Sequence, residues 1–394
     1  MLSATYVRSN IMKNKIIYLD NAATTFPKPQ KVISAVQNCL SNYCGNPSRG
    51  SNPLAVKSAE TVYECRTLLG ELFCCEPENV IFTYNTTYAL NMAIKGAVNR
   101  GDHILISNME HNSTLRPVER LSRDGFANYD IFDVYGKSTD EILSDIDRKI
   151  NVRTRLLCCV HSSNICSYRI PIKEIGKLCR ERGILFICDG AQSGGHIPID
   201  MKNSCIDILC LPSHKGLYGP QGGGIMLLSE NTVLKTMIEG GNGYRSLDLS
   251  MGDISPEKYE AGTLNTPGIA GLSEGLKFLK ARGIDSIGRQ NEALFRGAYA
   301  SLSSISGVKI YDDTAGAVLL FNINGISSDE AGELYNRRSI CLRTGFHCSP
   351  LAHKALGTPD SGAIRISFGA FNTPLQLSAF LNLTEDISGG KLRI

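Results

Sequence analysis

Short apolar runs alternate with amphipathic stretches from residue 16 to about residue 265, a pattern typical of strands that alternate with helices. The runs that predict strands are Val80–Thr83, Ile104–Ser107, Leu156–Val160, Ile184–Cys188 and Ile206–Leu211. Between the first two, apolar residues recur from Leu90 to Ala97 at i, i+3, i+4 and i+7, which predicts a helix packed on a sheet. The alternation predicts an α/β fold with a mostly parallel sheet.

Polar residues follow the ends of these predicted strands. They are, strand by strand, Thr86 and Thr87, then His111, then Asn164, then Asp189 and Gln192, and finally Ser213, His214 and Lys215. In open α/β sheets, ligands bind in the crevice outside the carboxyl ends of the strands. The sequence therefore predicts one crevice at which these side chains meet.

The pattern changes after residues 260–267. Helices are predicted over 270–282 and 290–304, strands over 308–311 and 317–322, and a further helix from Ser328. The last helix is predicted to begin with Thr373 as its N-cap and Pro374 at its first position. We therefore predict a large domain over residues 16–265 and a smaller α+β domain over residues 266–394. The N-terminal segment 1–15 is predicted to belong to the smaller domain.

Composition and charge exclude several classes of function. The chain has 394 residues, 42% of them hydrophobic, and a formal net charge of +3, without the basic stripe that binds nucleic acid. No apolar run approaches the length of a membrane span, and residues 1–15 lack the apolar core of a secretory signal. We expect a cytoplasmic protein that binds neither nucleic acid nor a membrane.

The chain has 14 cysteines, but no pair has the Cys-x-x-Cys spacing of zinc or dithiol sites, so neither a metal site nor a disulfide framework is predicted. Most, such as Cys158 and Cys188, lie in apolar strand-like runs and are predicted to be small core residues. Cys348 differs because it lies in a polar, turn-rich segment near Arg343 and His347, an environment that favours the thiolate. Cys348 is therefore the best candidate for a nucleophile.

Lys215 comes directly after Ser213 and His214 at the end of the fifth run. A lysine that is partly desolvated can lose its proton and attack an aldehyde, while the neighbouring hydroxyl and imidazole can hold a phosphate. Pyridoxal 5′-phosphate carries both an aldehyde and a phosphate, so the segment points to this cofactor. The alternative is a solvated surface lysine, because a lysine that follows a strand is more often exposed to solvent.

Other residues suit the same cofactor. Asp189 emerges from a buried strand, where a carboxylate is costly without a partner such as a protonated pyridine nitrogen; the alternative is a helix cap. Thr86 and Thr87 suit a phosphate at a helix N-terminus, or serve as a plain helix cap. His111 could stack on a flat ring and transfer protons, and Arg365 could hold a carboxylate bidentately.

The motifs that contain these residues resemble those of the cysteine desulfurases, in the class V aminotransferase group of the fold-type I pyridoxal-phosphate enzymes. The resemblance covers nearly the whole chain. The matching segments are residues 18–27, 45–48, 82–87, 110–111, 161–164, 189–192, 213–220, 260–265, 343–348 and 365–373. The resemblance implies a large domain with a mostly parallel seven-stranded sheet and a smaller α+β C-terminal domain that carries the cysteine loop.

The resemblance implies that Lys215 is bonded to the cofactor, that His111 stacks on its ring and that Asp189 faces its pyridine nitrogen. The other cofactor contacts that it implies are Asn164 and Gln192 at the phenolic oxygen and Thr87, Ser213 and His214 at the phosphate. Arg365, together with Asn164, would bind the substrate carboxylate, and Cys348 would take up sulfur. Thr263 would reach the phosphate of the opposite subunit, which implies a homodimer with its active sites at the interface.

The chain departs from the motifs of this family at three places. Ser167 and Tyr168 replace a small pair that usually contains glycine, Asn85 replaces a common glycine, and Phe346 stands where a histidine is frequent. Tyr168 would narrow or re-line the pocket beside the cofactor. These differences leave the identity of the substrate and of the sulfur acceptor open.

We therefore predict a pyridoxal-phosphate-dependent cysteine desulfurase that converts L-cysteine to L-alanine. Cys348 would carry the sulfur as a persulfide and pass it to a protein or small-thiol acceptor. L-Selenocysteine is an expected second substrate of this desulfurase. One alternative is a selenocysteine lyase, or another class V lyase or aminotransferase, in which Cys348 is not essential. The other alternative is a catalytically silent dimer that serves as a scaffold. The downstream pathway and the role of residues 1–15 stay open.

Overall fold

The computed structural model describes residues 16–48 and 50–392, so the predicted placement of segment 1–15 lies outside the described residues. The strands are β1 Ile17–Tyr18, β2 Val80–Thr83, β3 His103–Ser107, β4 Asn128–Phe132, β5 Thr154–Val160, β6 Leu185–Asp189, β7 Ile208–Pro212, β8 Gly224–Leu228, β9 Val308–Ile310, β10 Val318–Ile323, β11 Ile340–Cys341, β12 Arg343–Gly345 and β13 Ala363–Ser367. The helices are α1 Gln30–Asn42, α2 Pro53–Phe73, α3 Thr86–Ala97, α4 Asn112–Arg123, α5 Thr139–Lys149, α6 Ile172–Arg182, α7 Thr266–Arg282, α8 Ile284–Ser304, α9 Ser328–Arg337, α10 Pro350–Ala355 and α11 Pro374–Ser388. Within this described part, no helix has both the length and the apolar character needed to cross a lipid bilayer.

The larger of two compact units comprises residues 28–163 and 169–285. Its centre is a seven-stranded sheet in the order β2-β8-β7-β6-β5-β3-β4. Neighbouring strands are parallel from β7 to β4, whereas β8 runs antiparallel to both β7 and β2. The predicted α/β fold with a mostly parallel seven-stranded sheet is confirmed.

Burial on both faces of the sheet explains why these apolar runs form strands. Every residue of β3, β7 and β8 is buried, and so are the last five residues of β5. A parallel strand covered on both faces has few polar positions, so its sequence is a continuous apolar run rather than an alternating one. The predicted strand ends differ from the observed ones by at most two residues.

Helix α3 begins at Thr86, directly after β2, as the apolar stripe predicts. The side chain of Asn85 accepts a hydrogen bond of 2.9 Å from the backbone N–H of Tyr88 and so caps the first turn. Leu90, Ala93 and Ile94 of the apolar stripe are buried, and the helix packs on the sheet. Strand β2 therefore leads directly into a helix N-terminus that begins with Thr86 and Thr87.

The smaller unit contains residues 16–27, 164–168 and 286–392 of the described part. An antiparallel sheet in the order β12-β13-β10-β9 forms its centre, and β1 pairs with β11 beside it. Phe295, Phe321 and Phe380, all below 2% exposed, belong to its hydrophobic core. Thr373 caps α11 and Pro374 is its first residue, as predicted. The unit has the α+β architecture expected from the sequence.

The two units divide the chain differently from the boundary after residue 265 that the sequence suggests. Helix α7 belongs to the larger unit because it packs against α1 and α2. The segment 16–27 belongs to the smaller unit, in which the side-chain amide of Asn21 donates to the carbonyl of Ser367 at 3.0 Å. Both assignments depend on packing between segments that are far apart in the sequence.

A buried ion pair joins helix α2 to strand β2 in the larger unit. Arg66 Nη2 lies 2.7 Å from Glu260 Oε2, and each side chain is 7% exposed. Glu260 Oε1 accepts the backbone N–H of Phe82 at 2.7 Å, and Arg66 also donates to the carbonyl of Val80. The pair therefore holds the strand that leads into α3.

Replacing Arg66 with methionine keeps the apolar stem of the side chain but leaves the Glu260 carboxylate buried without its cation. We expect the free energy of unfolding to fall by about 3–5 kcal/mol, because removing one partner of a buried pair leaves an uncompensated charge. Chemical denaturation followed by circular dichroism measures this change. Lys57→Met is the matched control, because the Lys57–Glu60 pair is exposed and contributes about 1 kcal/mol or less. Similar losses in the two variants would contradict the prediction.

Candidate functional site

The larger unit brings five of the predicted site residues to one edge of its sheet. Asp189 is the last residue of β6, and Lys215 and His111 follow β7 and β3. Thr86 and Thr87 begin α3 after β2. Because β2, β3, β6 and β7 run in the same direction, their carboxyl ends meet at the same edge.

Three other predicted site residues belong to the smaller unit. They are Asn164, Cys348 and Arg365. The structure therefore arranges the candidate residues in two groups, one in each unit. The group in the larger unit carries the lysine, the carboxylate and the hydroxyls, and the group in the smaller unit carries the guanidinium and the thiol.

The carboxylate of Asp189 is 2% exposed. Burial raises the pKa of Asp189, whereas a hydrogen bond of 2.9 Å from the backbone N–H of Ala191 and the charge of Lys215 act in the opposite direction. A positive group that binds next to such a buried carboxylate lowers its pKa and stabilises the anion. Gln192 lies in the same turn, one residue beyond Ala191.

A chain of hydrogen bonds joins Thr87 to His111 through Ser113. Ser113 Oγ lies 2.8 Å from Thr87 Oγ1 and 2.8 Å from His111 Nδ1. The backbone N–H of Ser113 also donates to His111 Nδ1 at 3.1 Å, so this nitrogen is an acceptor and the neutral ring carries its proton on Nε2. The start of α4 therefore sets both the orientation and the tautomer of His111.

The N-terminus of α3 has the properties of an anion site. Thr86 Oγ1 is buried and has no hydrogen-bond partner within the described residues. The first backbone N–H groups of a helix and its dipole favour a negative group at this position. A Cβ on Gly224 would lie 2.3 Å from the backbone of Asn85, and one on Gly223 would lie 2.9 Å from Ser213 Oγ. Both glycines therefore let the turn after β2 and the turn after β7 come close to the start of β8.

The segment before Lys215 is held by its own neighbours. Ser213 Oγ donates to the carbonyl of Pro220, and Lys28 Nζ donates to the carbonyl of His214 at 2.6 Å. Burial lowers the pKa of Lys28 to about 8. Burial, with the charges of Lys215 and Lys28, lowers the pKa of His214 to about 4. His214 is therefore neutral at pH 7.

Thr263 lines a small cavity of about 60 Å³ together with Ser213 and Gly223. Its Oγ1 lies 3.5 Å from Nδ2 of Asn46, so the hydroxyl borders the turn that contains residues 45–48. Thr263 and Ser213 of the same chain therefore line one cavity. The contact with an opposite subunit, which the family resemblance implies, stays a prediction.

In the smaller unit, Arg365 lies in β13 and is 2% exposed. Its Nη2 lies 2.7 Å from Asp20 Oδ1, and its Nη1 donates to the carbonyl of Asn164 at 2.8 Å. Burial lowers the pKa of Arg365, and the Asp20 carboxylate raises it. Its Nε is buried and has no partner within the described part of the chain. A buried guanidinium with an unbonded N–H is suited to bind a carboxylate.

The side chain of Asn164 is bonded to the residues on both sides of Cys348. Its Nδ2 donates to the carbonyl of His347 at 2.7 Å, and its Oδ1 accepts the hydroxyl of Ser349 at 2.5 Å. His347 and Ser349 are buried, whereas Cys348 is exposed. His347 and Cys348 have φ angles of 51° and 59°, a left-handed conformation that is strained for residues other than glycine.

The imidazole of His347 stacks on His353, with ring centroids 5.4 Å apart. His347 Nδ1 lies 3.2 Å from His353 Nε2, and His353 Nδ1 lies 2.7 Å from Thr358 Oγ1. Burial, followed by the charge of Arg365, lowers the pKa of His347 to about 2. Burial therefore keeps this imidazole neutral, so His347 adds no positive charge to the segment near Arg343 and His347, which the sequence predicts to favour the Cys348 thiolate.

The departures from the family motifs have local explanations. Ser167 is buried, and its Oγ donates to the carbonyl of Val318 at 2.8 Å and accepts the N–H of Val318 at 2.9 Å. This side chain ties the segment 164–168 to β10. Asn85 caps α3, and Phe346 is half exposed, with its ring 5.7 Å from that of His353. The effect of Tyr168 on the pocket stays a prediction.

Sequence reasoning gave no role to Glu110, which is completely buried. Its Oε1 accepts the hydroxyl of Ser107 at 2.5 Å and the N–H of Val160 at 2.8 Å, while its Oε2 has no partner within the described residues. Burial raises the pKa of Glu110 to about 8, so the carboxyl group is protonated at pH 7. Ser113, Lys28 and Ser349 were also missed. Of these, only Ser113 could have been predicted from its local sequence, because it is a serine two residues after His111 at the start of a helix.

The cysteines divide into an interior group and an exposed group, as the sequence predicts. Burial raises the pKa of Cys158, Cys159, Cys188 and Cys210 well above that of an ordinary thiol. The exposed cysteines are Cys44, Cys74 and Cys348. Every cysteine in residues 16–48 and 50–392 is a free thiol, so this part of the chain contains no disulfide.

Comparisons with known proteins identify the family to which the chain is similar. A family model described as Aminotransferase class-V matches residues 17–380. A probable cysteine desulfurase of Methanothermobacter thermautotrophicus is 30% identical over 388 residues, covering 95% of each protein. A probable cysteine desulfurase of Pyrococcus abyssi is 29% identical over 394 residues, covering 97% of this chain and 96% of the relative. The solved apo structure of a cysteine desulfurase from Thermococcus onnurineus superposes with a TM-score of 0.89 at 28% identity, covering 99% of both chains. The resemblance seen in the sequence motifs is confirmed.

Buried imidazoles predict a loss of stability in acid. Burial lowers the pKa of His161 and His196 to about 4, against about 6.5 in the unfolded chain. Between these values the unfolded chain binds more protons, so stability that is present above about pH 6.5 is lost as the pH falls toward about 4. Replacing His161 with glutamine should reduce the slope of the free energy of unfolding against pH in this window by about 1.4 kcal/mol per pH unit, because the unfolded chain then binds one proton fewer.

Urea denaturation of the wild type and His161→Gln at a series of pH values between 4.5 and 7.5 measures this slope. The difference at pH 7.5 gives the packing cost of the substitution, which does not depend on pH. Parallel curves for the two proteins over the whole range would contradict the assignment of a neutral, buried His161.

Proposed function

The chain belongs to the class-V aminotransferase family and is grouped within it with the cysteine desulfurases, and from this premise we propose that it is a pyridoxal-phosphate-dependent cysteine desulfurase. In this proposal it converts L-cysteine to L-alanine and carries the removed sulfur as a persulfide on Cys348. The observation that supports the proposal best is the exposed Cys348 thiol on a strained turn whose two neighbouring residues are buried. A free thiol presented in this way is suited to accept sulfur.

Pyridoxal 5′-phosphate fits the groups at the sheet edge of the larger unit. When bound, this cofactor withdraws electron density from the substrate Cα. Asp189 would hold the pyridine nitrogen, because the buried carboxylate is stabilised by a protonated partner. His111 would stack on the ring, and Lys215 would bind the aldehyde carbon. The residues that we assign to the phosphate are Thr86, Thr87, Ser213 and His214, and those assigned to the phenolic oxygen are Gln192 and Asn164.

The guanidinium of Arg365 and the neutral amine of Lys215 would act on the amino-acid substrate. Arg365 would hold its carboxylate, since the guanidinium is buried and its Nε has no partner within the described residues. Lys215 would remove the proton from Cα, as a lysine amine partly shielded from water can do. Asn164, whose carbonyl is bonded to Arg365, would lie next to the bound carboxylate.

Cys348 would complete the reaction as the sulfur acceptor. Its thiolate attacks the sulfur atom of the substrate, so that an S–S bond forms on Cys348 and the substrate C–S bond breaks. The electron pair of the broken bond stays on the substrate carbon, which takes up a proton to give L-alanine. The persulfide sulfur then passes to a thiolate of a protein or small-molecule acceptor, and the Cys348 thiolate is restored.

We also propose that two copies of the chain form a homodimer and that Thr263 reaches the phosphate site of the other subunit. Leu247 and Leu249 support an interface, because these apolar side chains are almost completely exposed in the single chain and precede Thr263 by a short segment. We place the enzyme in the cytoplasm, where thiols such as those of this chain stay reduced.

A selenocysteine lyase, or another class V lyase or aminotransferase, would not need Cys348. The relatives with which the chain shares most of its length are described as cysteine desulfurases, and Cys348 is exposed on a turn that its neighbours hold in place. Both observations favour the desulfurase. L-Selenocysteine is an expected second substrate, because its C–Se bond is weaker than a C–S bond.

Substitution of Asp189 by asparagine should lower kcat for alanine formation by about a hundredfold, the usual order for loss of one preorganised electrostatic group. The amide keeps the size of the side chain and removes the charge that stabilises the pyridinium. Asp207→Asn is the matched control, because Asp207 is also a partly buried carboxylate that accepts a backbone N–H, from Phe186 at 2.8 Å, but it lies at the amino end of β7. Cofactor absorbance and alanine formation are measured in both variants, and equal kcat values would remove Asp189 from the site.

Substitution of Cys348 by alanine should abolish persulfide formation and lower alanine production from L-cysteine by at least about a hundredfold, with the cofactor still bound. Purified protein is incubated anaerobically with L-cysteine or L-selenocysteine, alanine is quantified, and added sulfur is mapped by mass spectrometry. Cys44→Ala is the control, because Cys44 is also an exposed free thiol. Full turnover of L-cysteine by Cys348→Ala would refute the desulfurase mechanism, and alanine from L-selenocysteine alone would identify a lyase.

A further inference from the structure

One residue, Asn164, connects the guanidinium of Arg365 to the turn that carries Cys348. Its backbone carbonyl accepts Arg365 Nη1 at 2.8 Å, and its side-chain amide bonds to the carbonyl of His347 and to the hydroxyl of Ser349. All of these residues belong to the smaller unit. Asn164 therefore ties the backbone on both sides of Cys348 to Arg365, in addition to the pairing of β12 with β13.

The turn needs such support because its conformation is unfavourable by itself. His347 and Cys348 both adopt the left-handed region, which costs about 1–2 kcal/mol for each residue that carries a Cβ. Ser349 closes the turn, since its N–H donates to the carbonyl of Phe346 at 3.1 Å. The hydroxyl of Ser349 donates to Asn164 at 2.5 Å, and both side chains are buried, so water does not compete for this bond.

The other side of the turn is held by side chains that are also buried. The imidazole of His347 is packed against His353, which is in turn hydrogen-bonded to Thr358. Cys348 is thus the exposed residue between two buried neighbours, each anchored to the interior of the smaller unit. An anchored backbone restricts the directions in which the thiol can point.

We propose that Ser349 is a positioning residue for the sulfur-accepting step. Its hydroxyl locks the amide of Asn164 onto the turn, and this bond keeps Cys348 in the left-handed conformation from which its thiolate attacks sulfur. The inference rests on the proposed desulfurase function and deepens it. Attack on sulfur requires the attacking atom to be close and aligned, and loss of alignment by about 1 Å can lower a rate on the order of a hundredfold.

The test uses the cofactor-loaded enzyme with the substitution Ser349→Ala, which removes one hydroxyl and leaves the backbone unchanged. Ser349→Thr keeps a hydroxyl at the same position. Ser361→Ala is the matched control, because Ser361 is an exposed serine of the same unit whose hydroxyl bonds to the carbonyl of Gly362. Three quantities are measured. They are the rate of the change in cofactor absorbance on mixing with L-cysteine, the first-turnover rate of persulfide formation on Cys348, and the rate of backbone amide hydrogen exchange in residues 343–349.

Ser349→Ala should slow persulfide formation at least about tenfold, the loss expected from one buried hydrogen bond. The change in cofactor absorbance reports the reaction of the cofactor with L-cysteine, which does not use Cys348, so its rate should stay within about twofold of the wild-type rate. KM for L-cysteine should also stay within about twofold, because Arg365 is unaltered. Hydrogen exchange over residues 343–349 should become faster. Ser349→Thr should form the persulfide faster than Ser349→Ala, and Ser361→Ala should match the wild type.

Unchanged persulfide formation in Ser349→Ala would overturn the proposal, and so would a threonine variant that is no faster than the alanine variant. An equal slowing of the absorbance change would also overturn it, because the hydroxyl would then act on the whole site rather than on the sulfur step. If the wild type forms no persulfide at all, the proposed function fails. Hydrogen exchange then still decides separately whether Ser349 restrains the turn.

Discussion

The burial of the Asp189 carboxylate is the constraint on which the chemistry of the larger unit depends. A carboxylate that is 2% exposed is stabilised as the anion by hydrogen bonds and by nearby positive charge, and in this chain the N–H of Ala191 and the charge of Lys215 act in this way. The parallel sheet makes the arrangement possible, because β6 and β7 are neighbours and both end at the same edge. A cationic heterocycle bound there would satisfy the same electrostatic demand, which connects the fold directly to the choice of cofactor.

In the smaller unit, buried hydrogen bonds offset the backbone strain of the turn that carries Cys348. Two consecutive residues of the Cys348 turn lie in the left-handed region, and buried hydrogen bonds from Asn164 hold them there. Arg365 is anchored to the same residue. The guanidinium that we propose for the substrate carboxylate and the thiol that we propose for sulfur are therefore both bonded through Asn164, while the other groups suited to a cofactor belong to the larger unit.

Much of this organisation could be predicted from local sequence patterns. Burial of strands on both faces leaves continuous apolar runs, so the strand ends and the residues that follow them, such as Asp189 and Lys215, were visible in the sequence. Properties that depend on contacts between distant segments were not. The neutral state of His347 depends on its burial near Arg365, and the bond from Ser349 to Asn164 spans 185 residues. The protonated state of Glu110 likewise depends on the complete burial of a carboxyl group that nothing in its own segment predicts to be buried.

The distribution of cysteines has a consequence for selectivity. A persulfide is itself an electrophile toward thiolates, and a protein that carries one exposes its own thiols to the same reagent. In this chain the thiols within the central sheet are kept protonated by burial, so they are poor nucleophiles as well as inaccessible. The thiols of the central sheet are thereby protected from the persulfide that we propose on Cys348, and its sulfur would pass to an acceptor in solution rather than to the protein interior.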